Sequence, residues 1–170
     1  MQHNGHTGHG DQRHYLRLVG MIVLSFISMY VLMYSMANSF ADVYNSLNQV
    51  YMAGLMTAPM VVIELWLMSS MYKDKKLNAV VIVVSIAAGV LFWTLIRQQT
   101  LISDRQFLRS MIPHHSGAIL MCEDASLQDQ RIKELCKEII ASQRREIDQM
   151  RALLEEPPGR GPASRAQSLR

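Results

Sequence analysis

Two adjacent histidines, His114 and His115, lie among methionines at helical spacing. Met111 precedes His114 by three residues and Met121 follows it by seven. Further on, Gln143, Glu146 and Met150 are spaced three and four apart. Imidazole and thioether donors together favour soft ions such as Cu(I) or Ag(I), and a Gln and a Glu beside them supply outer-shell hydrogen bonds. The expected ligands are therefore Met111, His114, His115 and Met150, with Gln143 and Glu146 behind them. A di-iron centre needs several carboxylates, and structural zinc needs four Cys or His ligands, so both fit poorly. Adjacent histidines point about 100° apart on a helix, so both do not easily bind one ion. One can ligate while its neighbour bonds Glu146 or serves a second protomer.

A helical hairpin has to position these groups. Apolar or small residues recur at Phe107, Met111, Ala118, Met121, Cys122 and Ala125. After a polar break, Ile132, Cys136, Ile139, Gln143, Glu146, Met150 and Leu153 alternate four and three apart, the pattern of a helix packing on a helix. With the turn in residues 124–131, the two run antiparallel about a midpoint near Asp129. Cys122 then faces Cys136, His114 and His115 face Arg144 and Gln143, and Glu146 lies one turn away. Met111 and Met150 close the far end. A buried Gln or Glu without a partner costs a few kcal/mol, so a satisfied polar cluster is expected. Ser103 with Gln106 fits a capping box that starts the first helix, which carries Pro113 inside it. Cys122 and Cys136 can form one bridge, remain buried thiols or add soft ligands.

The segments M-I-P-H-H-S-G-A-I-L-M and Q-R-R-E-I-D-Q-M resemble the CopM-like family, catalogued as domain of unknown function 305. The resemblance covers roughly Arg105 to Leu154. It implies an all-α fold related to ferritin-like bundles, copper or silver as the bound ion, and Met111, His114, His115, Met121, Gln143, Glu146 and Met150 as the site. The better-known members are soluble and often carry two such hairpins, whereas this chain carries one.

The rest of the chain is of a different kind. It has 170 residues, 49% of them hydrophobic, with a net charge of +3. Three apolar runs, at about 16–36, 50–71 and 77–96, are each long enough to cross a bilayer at ~20 residues. They make a transmembrane region over 15–97, ahead of the hairpin at 103–154. Ser35 and Ala37 resemble a signal-peptide cleavage site, but the length of the run favours an uncleaved anchor. Arg13, Arg17, Lys73, Lys75 and Lys76 fall on one side of three spans, against Arg97, Arg105 and Arg109 on the other. That bias favours a cytoplasmic N-terminus and an extracytoplasmic, periplasmic-side hairpin. Met52, Met56, Met60 and Glu64 are each four apart, a stripe that can either pack between helices or relay a soft ion. Residues 1–14 read as a disordered His-rich tail, and residues 155–170 as a second disordered tail. In the first, His3, His6 and His9 make a secondary metal tract, with a square-planar Cu(II) or Ni(II) site at His3 if the amine is free.

No basic patch with interleaved aromatics suggests nucleic acid. No phosphate loop or Ser-His-Asp arrangement suggests an enzyme. Cys122 and His115, seven residues apart, are ~10 Å apart along a helix, too far for a nucleophile and its base. A hairpin of about 50 residues is too small for a comfortable core, so a homo-oligomer completing a four-helix bundle is expected. The sequence thus predicts a lipid-embedded binding protein for metal ions, acting in sequestration, handover or tolerance. The rival is a membrane assembly module whose polar seam sets register.

Overall fold

A computed structural model of the chain describes residues 7–156, with side-chain surroundings from Arg13 onward. Five helices follow in order: α1 Thr7–Leu32, α2 Leu47–Leu67, α3 Lys75–Gln98, α4 Asp104–Asp124 and α5 Gln130–Glu155. Two 3₁₀ turns, Met33–Met36 and Phe40–Asp42, lie between α1 and α2. Among the described residues there is no strand, so the fold is all-α. The chain forms two compact units. Among the described residues, one takes 7–33 and Leu47–Leu101; the other takes Tyr34–Ser46 and 102–156.

Three helices are long and apolar enough to cross a membrane, over Arg13–Met36, Leu47–Leu67 and Lys75–Gln98, and apart from 34–36 these make up most of the first unit. Helix α2 packs against both α1 and α3 and is the most buried of the three. Leu24, Val83 and Trp66 stand well exposed on the outer faces, an arrangement suited to a hydrocarbon solvent. Leu18, Leu65 and Tyr72 make a small core at one end. There the Tyr15 hydroxyl donates to Asn78 Oδ1 at 2.7 Å and Asn78 Nδ2 donates to the Tyr72 carbonyl at 2.8 Å. Gly54 is where α2 and α3 approach closely, since a Cβ there would lie 2.5 Å from the Phe92 ring. The helix of the first span begins at Thr7, inside the stretch expected to be a disordered tail. Once a long helix exists, each further residue adds a hydrogen bond without a new nucleation cost. His3 and His6 lie outside the described residues, as does the tail from 157.

The second unit is the hairpin with the α1–α2 linker laid against it. Ser103 caps α4, accepting from the Gln106 amide, as the capping pattern predicts. Asp129 caps α5, accepting from the Arg131 amide at 2.8 Å. The Arg131 guanidinium beside it holds the Asp129 carboxyl below the usual carboxylate range. Ile112, Ile119, Ile147 and Met150 form the core, with Leu108, Met111, Ile140, Leu154 and the linker's Tyr44 packed around them.

That core corrects the phase expected for the seam. Phe107, Met121, Ile132 and Leu153 are 44–56% exposed, and the buried stripe of α5 runs through Ile147 beside Glu146. Apolar doublets at 139–140 and 153–154 leave the periodicity with two phases one residue apart. The phase that buries Ile147 keeps the Glu146 carboxylate in water, and desolvation decides between the two.

The linker is fastened by buried polar groups. Asp42, 6% exposed, accepts from the Ser116 hydroxyl at 2.7 Å and is paired with Arg151. Ser116 Oγ in turn accepts from the Asn38 amide at 2.8 Å. Gly117 is the point of closest approach, because a Cβ there would sit 3.1 Å from the Met36 carbonyl oxygen. Gly117→Val should lift the linker from α4 and speed hydrogen exchange at the Asn38 amide by at least tenfold, about 1.4 kcal/mol. Unchanged protection at Asn38 would contradict this placement.

Candidate functional site

The hairpin sets α4 and α5 antiparallel, so residues equidistant from the turn meet. Cys122 and Cys136 lie with Cα atoms 5.3 Å apart and are joined by a disulfide. Two to three turns further from the loop, His115 meets Glu146, with Nε2 2.8 Å from the carboxylate. The other ring nitrogen, Nδ1, lies 2.9 Å from the Met111 carbonyl oxygen. A carbonyl only accepts, so Nδ1 carries the proton, and Nε2 is turned toward Glu146. The side chain of His115 is 12% exposed and that of Glu146 49%, so the pair forms the wall of the hairpin at its water-facing edge.

This arrangement presents an imidazole nitrogen and a carboxylate oxygen to the same small space. Either a second proton occupies that space, making the pair an ion pair, or an electrophile does. The back-bond from Nδ1 to a backbone carbonyl is the usual device that fixes the tautomer and orientation of a ligating histidine. Among the described residues, no three His, Cys, Asp or Glu side chains gather as a ready-made metal set.

The other expected site residues are spread across the unit. His114 is exposed, its ring centroid 6.3 Å from that of His115 and its plane turned by 69°. Met121 is 56% exposed and on the same stripe as His114. Met150 is buried in the core, with Met111 packed against it. Gln143 is half-buried, on the α5 face toward α4. Arg144, expected opposite His114, instead pairs with Glu123, which also accepts from Asn38 Nδ2 at 3.1 Å. In the other unit, Met52, Met56 and Met68 are 36–41% exposed, while Met60 and Glu64 are half-buried. A cleft of about 370 Å³ opens among the three helices, lined by Phe26, Gly54, Val61, Ala88, Phe92 and their neighbours. None of Met52, Met56, Met60 or Glu64 lines it.

Sequence reasoning missed the role of Asp42, Ser116 and Arg151. The signal available was an acidic residue in a short loop between two apolar runs, together with a Ser-Gly pair on the inner side of α4. Such features do not name each other without the fold.

Fold and site define an all-α protein with three helices able to cross a membrane and a disulfide-bonded helical hairpin. The comparisons place it more closely. Residues 94–154 match the family described as Domain of unknown function (DUF305). The chain is 37% identical over 139 residues to the "Uncharacterized protein L153" of Acanthamoeba polyphaga mimivirus, covering 80% of this chain and 90% of that protein. The chain belongs to the same family as that viral protein and carries the DUF305 domain. No solved structure matches it significantly.

Proposed function

We propose that this protein is a membrane-anchored binder of soft metal ions, copper or silver, that sequesters them or hands them on. The observation that carries the reading is His115: its Nδ1 is tied to the Met111 carbonyl and its Nε2 is held 2.8 Å from Glu146. An ion entering there replaces a proton at Nε2, keeps Glu146 as counter-charge and finds thioether donors nearby in sequence, at Met111 on the preceding turn. Nothing in this arrangement requires covalent chemistry.

Two observations support a sidedness for the hairpin. Three crossings bring the α1–α2 linker and the chain after α3 to one side, and these two segments pack together as one unit. That side carries the disulfide, which persists in oxidising compartments, and the positive-inside bias puts Lys73, Lys75 and Lys76 opposite it. These two observations support an extracytoplasmic hairpin and a cytoplasmic N-terminus.

The alternative is an assembly module in which His115–Glu146 is a register-setting ion pair. The two separate in a competitive Cu(I) titration of the detergent-solubilised full chain beside His115→Ala. Metal handling predicts that wild type outcompetes a chromogenic chelator and that the variant loses at least tenfold in affinity, about 1.4 kcal/mol. Equal binding by both would leave the pair a structural device and overturn the proposal.

A further inference from the structure

The linker between α1 and α2, residues 37–46, turns one face to the hairpin and leaves the other bare. Asp42 is its only charged residue, and it points inward to Ser116 and Arg151. Phe40, two residues earlier, is 98% exposed, and Ser39, Ala41 and Val43 around it are exposed as well. The ring does not hang on a loose loop. Ser39 caps the Phe40–Asp42 turn, its Oγ accepting from the Ala41 amide at 3.2 Å and its carbonyl from the Asp42 amide at 3.0 Å. The bond from Ser116 to Asp42 then fixes that turn to α4, so Phe40 is held outward. Water is a poor surrounding for a phenyl ring held in this way, because apolar surface gains by leaving it.

Where the linker begins and ends says what covers the ring. Met36 closes the first helix able to cross a membrane and Leu47 opens the second, so on the membrane reading both ends of the linker enter lipid. The Tyr34 hydroxyl donates to the Tyr44 carbonyl at 2.9 Å and draws those ends together. Phe40 is four residues from Met36, at most ~14 Å of extended chain. Tyr30, Tyr51 and Trp93 each lie within two turns of the linker-side end of their span, the level at which aromatic side chains gather at a membrane surface. The hairpin takes one face of the linker. The other carries a phenyl ring, small side chains and no charge, which suits the boundary between headgroups and acyl chains.

We propose that the bare face of this linker is a membrane-contact surface, with the Phe40 ring inserted at the headgroup–acyl boundary of the phospholipid bilayer. Because Asp42 locks the same turn to α4, the ring anchors the hairpin unit to the membrane surface at a point of its own, additional to the chain connection through residues 99–103. The inference rests on the membrane reading and is independent of the metal reading.

The test uses the full chain in phosphatidylcholine nanodiscs, with lipid brominated on the upper acyl chain as a fluorescence quencher. The chain has two tryptophans, Trp66 and Trp93, both in helices able to cross the membrane, so quenching of the wild type reads the membrane account by itself. The probe is Phe40→Trp in a Trp66→Phe/Trp93→Phe background. Its comparator is Glu138→Trp in the same background; Glu138 is exposed and lies two and a half turns from the buried Ile147, on the opposite side of α5. Brominated lipid should lower the emission of Phe40→Trp roughly twofold and leave that of Glu138→Trp unchanged. A second probe does not depend on the tryptophan background. Both native cysteines are joined, so Phe40→Cys carries the sole free thiol among the described residues. A nitroxide attached there should be relaxed more strongly by dissolved oxygen, which concentrates in lipid, than by a water-soluble nickel chelate, and one at Glu138→Cys the reverse. Unquenched Phe40→Trp beside a quenched wild type overturns the insertion and leaves the membrane reading standing. An unquenched wild type removes that reading and this inference with it. A label at Phe40→Cys as open to nickel as the one at Glu138→Cys places the ring in water, free for a protein partner, and overturns the inference as well.

Discussion

Arg151→Met should destabilise the hairpin unit by about 3 kcal/mol, the low end for stranding one member of a buried ion pair. The methionine keeps most of the apolar stem. It leaves Asp42, whose side chain is 8% exposed, with the Ser116 hydroxyl as its one remaining strong partner. The Arg151 side chain is 35% exposed, so water reaches part of the vacated space and holds the cost near that end. Asp42→Asn should cost less, because the amide oxygen still accepts from Ser116 and the exposed guanidinium recovers water. The double variant should be milder than the sum of the two, since the second change removes a charge already orphaned by the first. Native-state hydrogen exchange at residues 38–44 and 112–119 reads all three. Equal effects that add without coupling would contradict the clamp.

Ile112→Ala should cost about 2–5 kcal/mol, because Ile112 is 0% exposed and its removal opens a cavity between α4, α5 and the linker. Phe107→Ala removes a larger side chain but from the open face, and in the isolated chain should stay within about 1 kcal/mol. The contrast is sharp because the periodicity alone put Phe107 on the packed stripe. A larger effect at Phe107 than at Ile112 in the monomer would restore the discarded phase of the seam. The metal readout should follow stability here: Ile112 lies one turn from His115, and loosening it blunts the alignment of His115 with Glu146.

The all-α fold, the three helices long and apolar enough to cross a membrane, and the antiparallel hairpin were legible because each rests on a strong local signal: long apolar runs, a polar break and a capping serine. The register was legible too. Pairing about residue 129 puts Cys122 on Cys136, and His115 within a turn of Glu146, as the structure has them. The phase of the seam was not. With Ile139 beside Ile140 and Leu153 beside Leu154, either phase satisfies the spacing, and the choice depends on which one leaves Glu146 wet. The linker was the larger gap. Asp42, Ser116 and Arg151 come from three separated stretches, and no periodicity connects them. Their pairing is visible only in the folded unit, where the linker and both hairpin helices come together. The expectation that two helices need a second hairpin for cover was drawn without that linker, which shields the Ser116–Gly117 side and leaves the Phe107–Met121 side open.

The central claim is that Nε2 of His115 receives the ion. It is tested most directly by nitrogen-15 NMR of the histidine side chains in the full chain as Ag(I) is added. The account predicts that His115 Nε2 shifts to the range of a coordinated nitrogen while Nδ1 stays protonated and bonded to the Met111 carbonyl. An unshifted His115 alongside bound silver elsewhere, or no silver bound at all, would contradict it.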